Sequence, residues 1–259
     1  MRNKVKQMIE AGEHPLGTFF QLGNQTAIEC MAYGGLDYVI LDTEHGPYDV
    51  ETSLNLIRAA KAAGLTPLAR VKDSSRASIL KMLDAGAMGI VIPNVRSIDE
   101  AREIVKWGKY FPTGERGIAP TPGTHYWTDD YAAAGLDNYM QVSNAQTMLI
   151  PQCETLGCLN DIDEIVALDG IDGIFVGPFD LSGALGRPGD FANPAHIEAI
   201  AKVQQLCRDQ GKASFIYGTT PQDAANRLAQ GFDSVTYSMD ALMLIDAVKQ
   251  TVSQVRMDS

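Results

Sequence analysis

Short apolar runs rich in β-branched residues alternate with longer segments of helical periodicity along the whole chain, and this alternation constrains the fold more than any other feature. The predicted strands are Gly17–Leu22, Tyr38–Asp42, Thr66–Val71, Gly89–Pro93, Met148–Gln152, Gly173–Val176, Ala213–Tyr217 and Ser234–Tyr237. The predicted helices between them include Val50–Ala63, Arg76–Asp84, Asp99–Trp107, Pro194–Gln210, Pro221–Ala229 and Ala241–Val255. Repeated β-then-α units form parallel strands, and their number favours a closed α/β barrel of the TIM (β/α)8 type over an open doubly wound sheet.

The length of the chain agrees with one such barrel. It has 259 residues, close to the roughly 250 that a single TIM barrel occupies. No low-complexity linker interrupts it, so we expect one domain over residues 1–259. One stretch is irregular: residues 111–144 are rich in proline and glycine at their start. This stretch is too long for an ordinary connection and predicts a functional loop or lid with short helical pieces.

Composition excludes several classes of function. The 32 acidic and 21 basic side chains give a net charge of −11, and without clustered Lys and Arg we expect no nucleic-acid partner. There is no run of 18 apolar residues and no apolar segment behind the basic N-terminus, so we expect a cytoplasmic protein without a membrane partner. The cysteines form no C-x-x-C pair, which favours reduced thiols: Cys30, Cys153, Cys158 and Cys207.

Polar residues follow four of the predicted strands, at the end of the barrel where TIM-barrel enzymes build their active sites. These tips read Asp42-Thr43-Glu44-His45, Arg70-Val71-Lys72, Gln152-Cys153-Glu154 and Gly177-Pro178-Phe179-Asp180. Because the carboxyl ends of all strands of a parallel barrel meet at one mouth, we expect these side chains to converge there. The sequence therefore predicts one polar site.

Glu154 and Asp180 are the candidate metal ligands of this site. Two carboxylates without a neighbouring soft ligand suit a hard divalent cation such as Mg²⁺ or Mn²⁺. About four positions of an octahedron would then stay open for water and a chelating substrate. The alternative is structural, with Glu154 capping the next helix and Asp180 lying in a turn.

Arg70 and His45 are the candidate groups for binding and proton transfer. A guanidinium at a strand end matches a carboxylate bidentately, which predicts a substrate clamp or, alternatively, an ion pair with a site acid. His45 follows a strand directly and titrates near neutral pH, so it is the expected general base. Asp42 and Glu44 flank it and could orient it or lie in a solvated turn. For His14 and His196 we expect structural roles, and the aromatic segment 125–127 could close over substrate or pack elsewhere.

Several motifs together resemble the HpcH/HpaI aldolase family of metal-dependent (class II) pyruvate aldolases, of the 2,4-dihydroxyhept-2-ene-1,7-dioate aldolase type. They are Leu41-Asp42-Thr43-Glu44-His45-Gly46-Pro47, Ala69-Arg70-Val71, Leu83-Asp84-Ala85-Gly86-Ala87, Glu115-Arg116-Gly117, Pro151-Gln152-Cys153-Glu154 and Val176-Gly177-Pro178-Phe179-Asp180-Leu181-Ser182. The resemblance covers nearly the whole chain, and the order of the motifs matches the order of the strands.

The resemblance implies a TIM barrel of the phosphoenolpyruvate/pyruvate-domain type, with a C-terminal helix exchanged between subunits of a homohexamer built as a trimer of dimers. It implies the following roles: Glu154 and Asp180 bind Mg²⁺, Mn²⁺ or Co²⁺; Arg70 and Gln152 bind pyruvate, with Gly177 and Pro178 at the substrate; His45 is the acid/base group; Asp42 and Glu44 organise it; and Asp84 supports the site of a neighbouring subunit. No organic cofactor is implied.

The activity expected from this resemblance is reversible cleavage of a 4-hydroxy-2-oxo acid to pyruvate, or an analogue such as hydroxypyruvate, and an aldehyde, through an enolate that the metal stabilises. The segment 118–127 and the tip of strand seven depart from the family pattern, so the aldehyde stays open. Rival readings are a Schiff-base aldolase using Lys72, a thioester lyase of the citrate lyase β-subunit type, and a non-catalytic barrel that binds a keto acid.

Overall fold

The strands close into a parallel barrel in chain order, as the alternating pattern predicts. The structure is a computed structural model and describes residues 2–257. The strands are β1 (Leu16–Phe20), β2 (Tyr38–Asp42), β3 (Thr66–Arg70), β4 (Gly89–Ile92), β5 (Met148–Cys153), β6 (Gly173–Val176), β7 (Ala213–Gly218) and β8 (Ser234–Met239). β1 pairs with both β2 and β8, which completes the TIM-barrel circuit.

Helices surround the barrel. They are α1 (Lys4–Glu10), α2 (Gln25–Tyr33), α3 (Val50–Ala62), α4 (Arg76–Ala85), α5 (Ile98–Gly108), a 3₁₀ helix (Pro122–Trp127), α6 (Asp130–Ala133), α7 (Leu136–Gln146), α8 (Leu156–Asn160), α9 (Ile162–Ala167), α10 (Pro178–Ala184), α11 (Pro194–Asp209), α12 (Pro221–Ala229) and α13 (Asp240–Met257). Side-chain caps begin several of them, and glycines with positive φ follow the ends of α3, α4, α11 and α12: Gly64, Gly86, Gly211 and Gly231. In the described part of the chain, no helix has both the length and the hydropathy needed to span a membrane.

The core has two layers. Inside the barrel lie large side chains such as Tyr38, Phe175 and Phe215, and α1 contributes Val5 to this interior cluster. A second and larger layer fills the space between the outer strand faces and the helices. Tyr38 shows the precision of the packing, since its buried hydroxyl is hydrogen-bonded to Ser234 and to Thr236. These layers hold the strand ends rigidly, which positions the groups at the mouth.

Strand register brings the predicted site residues next to one another. Asp42 at the end of β2 is paired with Arg70 at the end of β3. Cys153 of β5 is paired with Val176 of β6, so the residues that follow them, Glu154 and Gly177, are neighbours across two strand tips. The convergence expected from the parallel topology is therefore observed.

The irregular segment 111–144 carries short helical pieces, as predicted, and packs along the outside of the barrel. Its 3₁₀ helix lies against α4, where an added Cβ at Gly123 would meet the backbone oxygen of Leu83. His125, Tyr126 and Trp127 have positive φ, an uncommon backbone conformation for such side chains. The segment contributes no residue to the cavities at the barrel mouth, so a lid over the site is not seen in the described part of the chain.

Candidate active site

Two adjoining cavities of about 530 and 280 Å³ lie at the carboxyl ends of the strands. His45, Arg70 and Asp180 line both of them. The larger cavity is also lined by the polar side chains of Glu44, Asn94 and Glu154, whereas the smaller has an aromatic wall of Phe19, Phe175, Phe179 and Tyr217 beside Gln152. The mouth thus offers a charged half and an apolar half that share one edge.

Arg70 is held by the acids of the β2 tip. Its Nε donates to Oδ1 of Asp42 at 3.0 Å and its Nη2 to Oδ2 at 2.7 Å, and Nε also lies 3.3 Å from Glu44. Burial alone would raise the pKa of Asp42, but the hydrogen bonds and charge of Arg70 outweigh it and leave that pKa lowered. The structural alternative for Arg70 is therefore observed, although its Nη1 has no hydrogen bond to the described residues and stays available.

Glu154 is a buried carboxylate with little to compensate its charge. One oxygen accepts the backbone N–H of Asn94 at 2.7 Å, and the other accepts the side-chain amide of Gln152. Burial raises the pKa of Glu154 to about 7, and the nearby carboxylates of Asp180 and Glu44 add to the increase. Arg70 forms its ion pairs with Asp42 and Glu44 instead.

Gly177 makes the close approach of β5 and β6 possible at this point. A Cβ added there would lie 2.6 Å from an oxygen of Glu154 and 2.9 Å from the amide nitrogen of Gln152. Pro178 then begins α10, which carries Asp180 in its first turn. The missing side chain of Gly177 thus leaves the space that Glu154 and Gln152 occupy.

His45 lies at the rim and is exposed. Its side chain is 66% accessible, and its Nε2 lies 3.7 Å from Glu44, beyond hydrogen-bond distance. The backbone N–H of His45 and that of Glu44 both donate to Oδ1 of Asp42. Asp42 therefore organises the turn that carries the histidine, and the imidazole itself is exposed to solvent.

The donor set fits a hard divalent cation, with two protein ligands. Within residues 2–257 no group of three or more His, Cys, Asp or Glu side chains is arranged to hold a metal. The carboxylates of Glu154 and Asp180 repel each other, however, and the buried Oε1 of Gln152 has no hydrogen-bond partner. Surplus negative charge and an unsatisfied oxygen are the conditions that an oxygen-preferring cation relieves.

Two predicted residues lie away from these cavities. Asp84 is on α4, where its carboxylate lies 3.4 Å from the buried Arg116. Its catalytic assignment needs a second copy of the chain and stays a prediction. Lys72 lines a separate cavity beside Tyr48 and Ser75, with no wall shared with the site. Among the described residues, no lysine therefore lines the two cavities at the mouth.

Sequence reasoning missed two supporting residues. Gln21, just after β1, donates to Asp42 at 2.7 Å and completes the set of partners around that carboxylate. Asn94, just after β4, has φ of 59° and presents its backbone N–H to Glu154. An asparagine directly after an Ile-Pro strand end is a weak signal for such a left-handed turn, because asparagine tolerates that conformation better than most residues. No comparable signal marks Gln21.

Comparisons with known proteins identify the family of the chain. The family model for HpcH/HpaI aldolase/citrate lyase matches residues 16–247. The hydroxypyruvate/pyruvate aldolase of Roseobacter denitrificans is 32% identical over 255 residues, which are 97% of this chain and 96% of that protein. The 2-keto-3-deoxy-L-rhamnonate aldolase of Escherichia coli is 30% identical over 254 residues, or 98% and 93%.

A solved structure gives the same result. The HpcH/HpaI aldolase from Desulfitobacterium hafniense matches with a TM-score of 0.90 at 30% identity, and the match covers 99% of this chain and 97% of that one. The fold, the family model and these aldolases agree on the family. The chain therefore belongs to the HpcH/HpaI aldolase/citrate lyase family and is a carbon–carbon lyase of the aldolase type.

Proposed function

We propose that this aldolase reversibly cleaves a 4-hydroxy-2-oxo acid into pyruvate, or a close analogue such as hydroxypyruvate, and an aldehyde. The observation that carries the proposal is the buried Glu154, whose charge no cation in the described part of the chain compensates, beside Asp180 in a cavity that Arg70 also lines. The names of the relatives support the substrate class, since one acts on hydroxypyruvate and pyruvate and the other on a 2-keto-3-deoxy sugar acid.

Glu154 and Asp180 would hold a divalent cation, Mg²⁺, Mn²⁺ or Co²⁺. When bound, such an ion supplies Lewis-acid stabilisation of the charge that develops on the 2-oxo group. The chain supplies the rest of the environment. Gln152 donates to Glu154 and keeps that carboxylate in place, and Gly177 leaves the space that both side chains occupy.

Arg70 would stabilise the oxo acid through its free Nη1. Cleavage of the C3–C4 bond moves an electron pair towards C3 and the C2 oxygen, so a fixed positive charge beside that oxygen lowers the barrier. Asp42 holds the guanidinium by two hydrogen bonds, and the ring of Phe19 lies 4.4 Å from its central carbon. Because the side chain is already fixed, little reorganisation is needed when the charge appears.

His45 would move the proton. It accepts the proton of the C4 hydroxyl as the C3–C4 bond breaks, which releases the aldehyde and leaves an enolate. A proton delivered to C3, from the protonated imidazole or from water, then gives pyruvate, and the steps run in reverse towards addition. Its place on the shared edge of the two cavities puts it within reach of a substrate that spans both. Its exposure allows rapid exchange with solvent after each turnover.

We further propose that copies of the chain assemble through α13, as expected from the swapped helix of the family. This helix exposes a row of large apolar side chains that one copy leaves uncovered: Leu244, Ile245, Val248 and Val252. A second copy is also what would bring Asp84 to a site. The hexameric state and the cytoplasmic location stay predictions.

The test is pyruvate release from a small panel of 4-hydroxy-2-oxo acids, after stripping with EDTA and again with Mg²⁺, Mn²⁺ or Co²⁺ restored. We expect cleavage to stop on chelation and to return with metal. Asp180→Asn is the matched test variant, because it keeps the shape of the side chain and removes one charge of the proposed metal site.

Two results would overturn the proposal. Activity that survives chelation, together with a pyruvate adduct on Lys72 that is trapped by borohydride reduction, would indicate imine chemistry. Failure to cleave any member of the panel with every metal would favour a thioester lyase or a non-catalytic binder.

A further inference from the structure

His196 is a buried histidine outside the catalytic set. It lies in the first turn of α11 and is 1% exposed. Its Nε2 lies 2.9 Å from the backbone oxygen of Pro178. Because a carbonyl can only accept, the proton of the ring is on Nε2. The other ring nitrogen, Nδ1, is buried and has no hydrogen-bond partner among the described residues.

An unsatisfied buried nitrogen costs free energy, so the ring needs a compensating role. An apolar side chain would fill the same space without leaving an acceptor unpaired. An apolar side chain could not, however, donate a hydrogen bond to the carbonyl of Pro178, the first residue of the helix that carries Asp180. The one hydrogen bond that the His196 ring makes within residues 2–257 thus goes to the β6 tip, two residues before a proposed metal ligand.

The segment around Asp180 is the first turn of α10, which its own backbone hydrogen bonds and the buried Leu181 also hold in place. The Asp180 side chain is exposed and accepts no hydrogen bond from the described residues. On its far side, the Ser182 hydroxyl donates to the backbone oxygen of Phe179 at 2.6 Å and accepts the N–H of Gly189 at 2.9 Å. His196 and Ser182 therefore hold the two ends of a short turn, and the aspartate lies between them.

Aromatic packing ties the same residues together. The ring of Phe191 lies 5.6 Å from the His196 ring and 4.8 Å from that of Phe179. Phe179 in turn lies 6.0 Å from Tyr217, on the wall of the smaller cavity. A movement of the imidazole would thus displace side chains in the apolar half of the mouth as well as in the charged half.

We propose that His196 is a positioning residue, whose hydrogen bond to the carbonyl of Pro178 fixes the turn that carries Asp180 and thereby sets the affinity of the site for its divalent cation. This inference rests on the proposed role of Asp180. Residues that orient metal ligands from outside the ligand set commonly change metal affinity by roughly 10–100-fold when they are replaced. Because His196 acts through the backbone, we expect its loss to weaken the binding of the cation about tenfold, the lower end of that range.

The chain offers a matched set of variants. His196→Leu removes the donor, whereas His196→Gln keeps an N–H at the place of Nε2. Gln204→Leu is the structural control, since Gln204 lies on the same helix, is buried, and donates to a backbone carbonyl, that of Gly231, at 2.8 Å. Gly231 precedes β8 at the opposite end of the barrel, so loss of that bond leaves the mouth untouched.

Two measurements are made on the intact protein. Amide hydrogen exchange of the metal-free protein reports opening of the peptide over residues 177–184. Mn²⁺ titration followed by electron paramagnetic resonance gives the dissociation constant. In His196→Leu we expect faster exchange of that peptide and about tenfold weaker Mn²⁺ binding. His196→Gln should restore both values to within about twofold, and Gln204→Leu should lower thermal stability without changing either.

The outcomes separate the two proposals. Unchanged exchange and Mn²⁺ affinity in His196→Leu would overturn the role of His196, as would equal losses in Gln204→Leu. If the wild-type protein bound no Mn²⁺, or if Asp180→Asn bound it normally, the proposed metal site would be wrong and with it the effect of His196 on affinity. The exchange data would then still decide whether His196 holds the turn.

Discussion

The two ends of the barrel treat buried charge in opposite ways. At the amino-terminal end, Lys109 is 3% exposed and its ammonium donates to the backbone oxygens of Asn144 and Thr147 and to the carboxylate of Asp172. Asp172 also accepts from Lys6 at 3.0 Å and from the N–H of Leu149 at 2.9 Å. At the carboxyl end, Glu154 accepts hydrogen bonds from two neutral donors among residues 2–257 and lies near the carboxylates of Asp180 and Glu44.

This difference separates stability from function. A buried charge whose hydrogen-bonding capacity is filled locks the elements that meet there, and it has nothing left to offer a ligand. A buried charge left under-compensated destabilises the empty site and is relieved when a ligand of opposite charge binds. We therefore expect substitutions at the amino-terminal end to lower stability with activity kept, and substitutions at the mouth to do the reverse.

The largest effect is expected for the carboxylates of the mouth. Glu154→Gln or Asp180→Asn should lower kcat/KM for pyruvate release by at least about 10³-fold, equivalent to about 4 kcal/mol, because the charge that would hold the cation is lost. The free energy of unfolding of the metal-free protein should stay the same or rise, since a repulsive charge is removed. A coupled lactate dehydrogenase assay and urea unfolding measure the two quantities. Variants that kept their activity would show that Glu154 and Asp180 are not needed for the reaction.

The matched change at the opposite end is Lys109→Met. It leaves Asp172 buried with one cation fewer, and breaking a buried pair of this kind costs about 3–5 kcal/mol. Because Lys6 and the N–H of Leu149 remain, we expect about 3 kcal/mol of lost unfolding free energy. The kcat of the folded enzyme should stay within about twofold of the wild type. A loss of kcat without a loss of stability would contradict the division between the two ends.

The pH dependence of stability tests the charge of Glu154 directly. Its pKa is raised to about 7 in the folded protein, so between its unfolded value and pH 7 the folded state binds the extra proton. The contribution of Glu154 to the stability of the metal-free protein should therefore be largest at the acidic side of this window and fall by about 3 kcal/mol as pH rises through it. Above pH 7 its contribution is constant.

Urea unfolding of the wild type and of Glu154→Gln, compared over this pH range, isolates that contribution. Other carboxylates cancel in the difference between the two proteins, Asp42 included, whose pKa is lowered. Saturating Mn²⁺ should abolish the fall, because the ion binds the deprotonated carboxylate. A difference that did not vary with pH would mean that Glu154 is not held in an unfavourable charged state.

The sequence predicted the barrel well because each strand carries its own signal. β2 and β6 begin and end where the apolar runs do, and β8 extends two residues beyond its predicted end at Tyr237 because Ser238 and Met239 remain in the sheet. Local patterns of this kind need no knowledge of distant contacts. The glycines that end helices were predictable for the same reason, since φ is a property of a single residue.

What the sequence could not give depends on contacts between distant residues. Lys109 reads as an ordinary lysine after a helix, and its burial follows only from Asp172, which is 63 residues further along the chain. His196 was expected to be structural on frequency alone, and its contact with Pro178 appears only when α11 packs behind β6. Arg70 was assigned to substrate or to an ion pair, and only the strand register decides that Asp42 takes two of its donors.

The smallest effect at the mouth is expected for His45, which is open to solvent and bound to no carboxylate at hydrogen-bond distance. General acid–base groups commonly contribute about 10²–10⁴-fold, and an exposed one should lie at the low end, so His45→Ala should lower kcat about 10²-fold with Mn²⁺ affinity unchanged. Exposure also leaves room for a substitute, and added imidazole should restore part of the lost rate in this variant alone. Normal turnover without imidazole would show that solvent, and not this side chain, takes the hydroxyl proton.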